Sequence, residues 1–493
     1  MEGYTSSGQC KITYSNPYVH VLYVEYSKTH CFHCLRQLPQ AEDSIQVQRC
    51  ANCRFALFCN AQCLKQCQDQ FHHFECPLIA KSFPDIPVSH TILFARLLYR
   101  LKSEKIDICA PYECRPVPPR QWKNLLSHSD IIKASPARMS KFELLKNLLG
   151  DYFKDAPIDV PEYTTEELFI IFCKKAVNSH GVFNQYGDCI GESLDLDASI
   201  YDHSCRPNLS ITYDGVAITF SLLEDMKNGK EALRDPSRVY VSYVELALSR
   251  SRRRRLLKER YYFHCQCERC MDLEDDLMTS IKCANAQCNQ PLIGMTEDGV
   301  PVNINCPVCR TTRVSADIRQ CQIMMRVIEK LTETWRDSPT TGLDVNTVAQ
   351  DIFKKTSAMY ERCKPYLHAT NLYMTDLRLT YVFWAMRTKT NFEKALKMAL
   401  ESVECVRLCY PRFHKLLGFH LLKIVFLYIA MNEDYKKAKP YLEEASEIML
   451  RWFGTEEHSI CQRLKTLTQK IHGVLYGGVT EDKEDMLALM KFY

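Results

Sequence analysis

The chain has 493 residues, 46% hydrophobic and 25% charged, with 63 Lys and Arg against 59 Asp and Glu. That length exceeds one hydrophobic core and implies roughly two to four domains of ordinary globular composition. The net charge of +4 supplies no whole-molecule field for nucleic acid or an anionic membrane, so any such binding would have to be local.

Met1–Ser15 lacks a basic stretch followed by an apolar core, so no secretory signal is visible. The most apolar long run, Leu416–Met431, is interrupted by His420 and Lys423 and is shorter than the roughly 20 residues a membrane span needs. It predicts a buried helix. The 26 cysteines, many in Cys-x-x-Cys pairs, point to metal ligation in a reducing cytosol or nucleus rather than to disulfides.

Residues 9–26 are rich in β-branched and aromatic side chains and predict strands broken at Asn16-Pro17. Cys31-x-x-Cys34, Cys50-x-x-Cys53, Cys59-x-x-x-Cys63 and His72-x-x-x-Cys76 follow. These eight ligands within 46 residues suit two zinc sites, and the segment has little apolar core without them. His73 is a competing ligand, although spacing favours His72, and Cys67 reads as a spare thiol. The complete pattern resembles the MYND zinc finger. The resemblance implies interleaved sites, Cys31, Cys34, Cys59 and Cys63 holding one ion and Cys50, Cys53, His72 and Cys76 the other. It also implies protein docking, with a proline-rich peptide as the expected occupant. Four basic residues (Arg36, Arg49, Arg54, Lys65) against four acidic ones (Glu42, Asp43, Asp69, Glu75) leave no phosphate-binding stripe.

Thr91–Leu101 has helical apolar spacing. Thr165–Lys175 begins as a capped helix, with Thr164 or Thr165 ahead of Glu166 and Glu167. Ile211–Phe220 predicts a hairpin with Asp214-Gly215 at its turn. In Ser251–Arg260 four consecutive arginines wrap around a helix; a solvated helix is the first reading, and nuclear import or nucleic-acid contact through Arg252–Arg255 the minor one. Cys283-x4-Cys288 and Cys306-x-x-Cys309 have zinc-ribbon spacing and predict another ion. From Ile318 the chain is helical and repeats: Asn391–Leu396 answers Asp434–Lys439, and Tyr410-Pro411 answers Phe453-Gly454, both 43 residues apart (391 to 434, 410 to 453). That period fits paired antiparallel helices.

The chemistry concentrates between Ala198 and Cys270. Asp202-His203-Ser204-Cys205-Arg206-Pro207-Asn208 is followed by Val241-Ser242-Tyr243 and then by Tyr261-Tyr262-Phe263-His264-Cys265-Gln266-Cys267-Glu268-Arg269-Cys270. Cys265, Cys267 and Cys270 leave a tetrahedral shell one ligand short, and Cys205 is the natural fourth. Its recruitment would pin the tail across the loop and enclose a cavity walled by Tyr243, Tyr261 and Phe263.

In that order the segments resemble a SET-domain protein-lysine methyltransferase with its post-SET zinc clamp. With a MYND finger placed after the first strands, the chain resembles the SMYD family over nearly its whole length. The resemblance implies an α+β multidomain fold. The N-terminal part of the β-rich SET domain would occupy 1–30, the MYND finger 31–76, a linker and helical SET insert 77–164, and the SET core 165–250. The post-SET clamp would follow at 251–275, a zinc-ribbon-like element at 276–315, and an all-α tetratricopeptide-like lobe at 316–493, acting as roof of the substrate cleft or as a partner-binding surface.

The same resemblance implies S-adenosylmethionine as methyl donor and structural zinc only, two ions in the finger and one in the clamp; the zinc-ribbon spacing of Cys283, Cys288, Cys306 and Cys309, which is not a constant part of the resemblance, adds a further structural ion. A lysine of a histone or another protein is the expected acceptor, and the protein is expected as a monomer in nucleus and cytoplasm, without nucleic-acid or membrane partners. Tyr243 takes the catalytic position. His128, Asn178, Asp202, His203, Tyr261 and Phe263 take cofactor positions, and Tyr243, Tyr261 and Phe263 the lysine channel. Gly229-Lys230-Glu231 matches a Gly-Glu-Glu before the family's last strand, with a loop around Ala232–Arg238 lengthening the interval to Tyr243.

Two departures stand out. The family's opening Gly-x-Gly strand is not supplied by the isolated Gly3 and Gly8, so the chain is expected to begin just after it or to hold an incomplete cofactor site. Asp202 replaces an Asn, and an ionised Asp only accepts hydrogen bonds, so it is expected to face the cofactor's ammonium. Both support the alternative expectation of a catalytically impaired, zinc-stabilised adaptor docking partners through finger and lobe.

Overall fold

The computed structural model describes residues 10–39, 47–114, 118–185, 187–296, 299–336, 345–432, 435–456, 458–478 and 480–490. Gly3, Gly8, Glu42, Asp43 and Asp434, named above, lie outside them.

Strands β1 (Lys11–Tyr14) and β2 (Val19–Leu22) are followed in the finger by β3 (Gln48–Arg49), β4 (Leu57–Phe58), α1 (Ala61–Cys67) and α2 (His73–Ser82). Helices α3 (Ser89–Ser103), α4 (Ser129–Lys133), α5 (Pro136–Phe153) and α6 (Thr165–Asn178) come next, then strands β5 (His180–Phe183), β6 (Cys189–Leu194), β7 (Leu209–Asp214) and β8 (Ala217–Leu222). Short helix α7 (Gly229–Arg234), α8 (Arg250–Tyr261) and α9 (Glu268–Met271) lead to β9 (Ile281–Lys282), β10 (Pro291–Leu292), β11 (Ile304–Asn305) and β12 (Thr312–Arg313). The lobe comprises α10 (Ser315–Arg336), α11 (Val345–Cys363), α12 (Leu372–Thr388), α13 (Phe392–Cys409), α14 (Lys415–Ala430), α15 (Tyr435–Phe453), α16 (Ser459–Tyr476) and α17 (Lys483–Leu489).

Pro17 has no N–H to continue a ladder, so the chain leaves one sheet, ordered β1-β8-β7, and enters another, ordered β2-β6-β5. β2 is buried along its length beneath α3. The Thr164 hydroxyl accepts from the Glu167 N–H at 3.2 Å and the Glu167 carboxylate accepts from the Thr164 N–H at 2.8 Å, a reciprocal cap that starts α6. The β7–β8 turn lies one residue beyond the expected pair: Asp214 pairs Ala217, leaving Gly215-Val216 between the strands. Gly215 has φ +59°, and a Cβ there would stand 2.0 Å from the Cys34 carbonyl, so this tip can press against the finger. Val216 N–H donates to the same carbonyl at 3.0 Å.

Two expectations are corrected. Gly229-Lys230-Glu231 opens α7 rather than a loop before a strand, and Val241 makes only an isolated parallel bridge to His203. The Asn208 side chain accounts for the missing ladder, accepting from Tyr240 N–H at 2.7 Å and donating to Arg238 C=O at 2.9 Å. The arginine run is not a solvated face. Arg253 is fully buried and pairs with Asp275 at 2.6 Å, Arg252 reaches Glu333 on α10 at 2.7 Å, and Arg254 donates to the Cys265 and Cys270 carbonyls, both at 3.1 Å. Of the four, Arg255 is the exposed one. With Arg252, Arg253 and Arg254 engaged by protein groups, the run presents no continuous phosphate-binding stripe.

In the lobe, helices neighbouring in sequence pack as neighbours in space, and α13 and α15 begin 43 residues apart (392 to 435). α14 is buried on most sides. No helix among the described residues is long and apolar enough to cross a membrane. Burial holds His414 and His420 neutral, with pKa values lowered to about 3. The His414 ring nitrogen caps α14 by accepting from Leu416 N–H at 3.2 Å, which protonation would forbid. Depressed histidine pKa values mean that the unfolded chain binds more protons. Stability is therefore complete above pH 6.5 and falls below it, by about 1.4 kcal/mol per pH unit per histidine until the folded rings titrate. Denaturant titrations between pH 7 and 5 should show such a slope, and because His20, His180, His203 and His458 are depressed too, the His414→Gln, His420→Gln double variant should make it shallower by about 2.8 kcal/mol per pH unit without abolishing it. An unchanged slope would contradict the assignment.

Candidate functional site

Four ligand sets lie within the described residues: Cys31, Cys34, Cys59 and Cys63; Cys50, Cys53, His72 and Cys76; Cys205, Cys265, Cys267 and Cys270; and Cys283, Cys288, Cys306 and Cys309. In each, the ligand atoms lie within 4.8 Å of one another. Sulfurs about 2.3 Å from a tetrahedral zinc stand about 3.8 Å apart. The separations fit: 3.8 Å for Cys34 and Cys59, 3.5 Å for Cys50 and Cys76, 3.6 Å for Cys205 and Cys270, and 3.7 Å for Cys288 and Cys306. These are zinc-binding sites.

Local chemistry aims the ligands. Asn60 caps α1 by accepting from Cys63 N–H at 2.8 Å, which orients the Cys63 thiol. His72 presents Nε2 3.7 Å from the Cys53 sulfur, its Nδ1 lying 3.1 Å from Glu75. His73 instead donates from Nδ1 to the Gln68 carbonyl at 2.8 Å. Cys67 is buried beside His72 and Glu75.

At the clamp, Cys205 N–H donates to the Cys267 sulfur at 3.4 Å, and Arg206 pairs with Glu268 at 2.9 Å, so the tail lies across the loop. A corner of aromatic rings is thereby closed. Tyr243 and Tyr261 ring centres are 4.7 Å apart, His203 and Tyr243 5.4 Å, and His203 and Phe263 6.1 Å. The Tyr243 hydroxyl donates to the Tyr201 carbonyl at 2.6 Å. Burial raises its pKa well above the ordinary range, so it stays protonated and serves as a donor. Tyr261 is raised for the same reason.

The His203 side chain builds this corner instead of reaching outward. Nδ1 accepts from Tyr243 N–H at 3.0 Å, leaving Nε2–H 3.2 Å from the Cys205 sulfur, and burial lowers its pKa to about 4. With both nitrogens engaged, the ring has no donor or acceptor left for a cofactor. Asn178 donates to the carbonyls of Leu126, at 2.9 Å, and Lys174, at 2.7 Å, and so fixes the segment that presents His128. His128 itself sits in the left-handed region at φ +48°, its ring 5.4 Å from that of Tyr262, and burial lowers its pKa, leaving a neutral imidazole.

Asp202 is exposed and close enough to Tyr243 and Arg120 to interact electrostatically with each. Desolvation raises its carboxyl pKa and the Arg120 guanidinium opposes that rise. Arg120 is the residue that sequence reasoning missed. It donates to Ser199 at 2.8 Å, while its Nε is buried with no acceptor among the described residues. No local pattern marks it: the Pro-Pro-Arg run reads as a linker, and apart from the Asn124 carbonyl its partners Leu196, Asp197 and Ser199 lie more than seventy residues away.

A two-site zinc finger set between the first strands of a small β core, and a thiol clamp closing an aromatic corner of that core, define a SET- and MYND-domain zinc protein. The relatives agree. The chain is 23% identical over 438 residues to the mouse histone-lysine N-methyltransferase SMYD3, covering 86% of this chain and 85% of that protein. It is 21% identical over 447 residues to the zebrafish N-lysine methyltransferase SMYD2-B, covering 89% and 85%. Against the fission yeast SET domain and MYND-type zinc finger protein 6 identity is 26% over 229 residues, covering 46% of this chain and 42% of that protein. No family model matches. Over most of its length this chain is similar to SMYD3 and SMYD2-B, both named as lysine methyltransferases.

Proposed function

We propose that this protein is a protein-lysine N-methyltransferase that uses S-adenosylmethionine and acts on histones or other proteins in nucleus and cytoplasm. Four structural zinc ions, none of them catalytic, would occupy the four ligand sets. The observation that carries this reading is the aromatic corner: the protonated Tyr243 hydroxyl held at 2.6 Å on the Tyr201 carbonyl beside Tyr261, under the clamp. The relatives' names point the same way, since two of them are lysine methyltransferases.

S-adenosylmethionine, when bound, supplies an electrophilic methyl on a sulfonium. His128, Asn178, Asp202, Tyr261 and Phe263 would hold it, and the donor set suits it: aromatic faces for a purine and a carboxylate at Asp202 for an ammonium. Arg120, beside Asp202, offers a cation toward the same end of the ligand. The protein's own part is alignment. The narrow channel of Tyr243, Tyr261 and Phe263 disfavours the ammonium form of an entering lysine by desolvating it, so the amine arrives neutral. The Tyr243 hydroxyl and Tyr201 carbonyl orient that amine.

The chain would act as a monomer, with a proline-rich peptide as the occupant of the finger. A second reading, a catalytically impaired adaptor, is favoured by the carboxylate at Asp202 where an amide is expected. Methyl-labelled S-adenosylmethionine incubated with histones and cell extract decides between them. Label should appear on lysine, and Tyr243→Phe should lower transfer at least tenfold, a barrier change of about 1.4 kcal/mol, with zinc content unchanged. Equal transfer by the two proteins would remove Tyr243 from the mechanism. No label, together with no cofactor binding by calorimetry, would favour the adaptor.

A further inference from the structure

Arg269 lies between two clamp ligands, Cys267 and Cys270, and is buried to 3% exposure. A guanidinium has five N–H donors and no acceptor, and all five here have partners. Nε donates to Asp275 at 2.8 Å. Nη1 donates to the Cys205 carbonyl at 3.2 Å and to the Cys409 carbonyl at 2.8 Å. Nη2 donates to the Leu246 carbonyl at 3.1 Å and to the Met278 sulfur at 3.3 Å.

These partners belong to separate parts of the chain. Cys205 is in the ligand loop, Leu246 follows Tyr243, Asp275 and Met278 follow the clamp, and Cys409 ends α13 of the lobe. The last carbonyls of a helix carry partial negative charge and lack intrahelical donors, so a cation is well placed there. Asp275 in turn holds Arg253 at 2.6 Å, and the Arg253 Nη2 stands 3.9 Å from the Cys270 sulfur. Four thiolates on one zinc would carry a net charge of −2, enough to offset the single positive charge that Arg269 and Arg253 leave over Asp275. Above the guanidinium opens a cleft of about 820 Å³ between clamp and lobe, lined among others by Phe263, Cys267, Arg269, Cys409, Tyr410 and Phe413.

We propose that Arg269 is a positioning residue: a latch, oriented by the clamp metal, that fixes the α13 end of the lobe and the segment after Tyr243 in one arrangement and so sets the closed floor of the cleft. Lysine, with three donors and no planar fork, cannot span these acceptors. The proposal does not depend on methyl transfer.

The test uses buried thiols of the full chain as reporters. Cys405 and Cys409, 0% and 2% exposed, lie under the latch, and Cys173, 0% exposed, lies in the separate core formed by α3, α5 and α6. Alkylation of Arg269→Lys and Arg269→Gln, read by mass spectrometry alongside zinc content, should show Cys409 and Cys405 labelled at least tenfold faster than in the native protein. Cys173 and the zinc count should not change. Protection of Cys409 equal to the native protein would overturn the latch. So would a matching rise at Cys173, or loss of zinc from Arg269→Lys, because either would make Arg269 a general support of the fold or of the metal.

Discussion

Replacing Glu75 with Gln is expected to destabilise the junction of finger and core by about 3–5 kcal/mol, the cost of leaving a buried charge without its partner. Glu75 is 0% exposed and accepts from Arg96 Nε at 2.7 Å and Nη2 at 2.9 Å, while the zinc ligand His72 approaches at 3.1 Å. Burial alone would raise the carboxyl pKa, but Arg96 and His72 outweigh it and hold it at about 2. Arg96 is 1% exposed, donates to the His20 carbonyl on β2 at 2.6 Å and lies 3.8 Å from the Phe71 ring centre. One carboxylate thus orients a metal ligand of the finger and neutralises the cation that binds the finger to the SET sheet. A neutral amide keeps the shape and loses the charge. Denaturant unfolding should report the lower stability. Zinc affinity at Cys50, Cys53, His72 and Cys76 should fall by about 10–100-fold, as expected when the outer partner of a ligating histidine is removed. Unchanged stability and zinc affinity would show that the triad carries no energy.

The parts of this molecule that could be read from sequence are those whose partners are near in the chain or whose chemistry leaves little choice. Thr164 and Glu167 are three residues apart and cap one helix whatever surrounds them. Paired cysteines at metal-ligand spacing have few uses, and the four sets they form here followed from that spacing, from the interleaving that the MYND resemblance implies, and from one loop thiol, Cys205. Residues with distant or degenerate partners could not be read. Arg252, Arg253, Arg254 and Arg255 are identical in sequence, yet one reaches α10, one is buried on Asp275, one binds carbonyls of the clamp and one faces water. What distinguishes them is acidic and carbonyl groups brought in by the fold. The strand expected before Tyr243 failed for a similar reason, since the Asn208 amide takes over bonds that a neighbouring backbone would have made. His203 looked like a cofactor residue because its neighbours do. Its imidazole is instead a bracket between Tyr243 and Cys205.

The proposed function depends on the metal site formed by Cys205, Cys265, Cys267 and Cys270, which joins loop to tail. Cys205 is fully buried and comes within 3.6 Å of the Cys270 sulfur, 65 residues further along. Without its thiol, the three remaining ligands leave the shell open and the aromatic corner loses its lid. The direct measurement is zinc stoichiometry by native mass spectrometry, with calorimetry of S-adenosylmethionine binding, on the native chain and on Cys205→Ser. We expect four zinc ions and binding in the first, and three ions with binding abolished in the second. A Cys205→Ser protein that keeps four ions and binds the ligand as before would contradict the account.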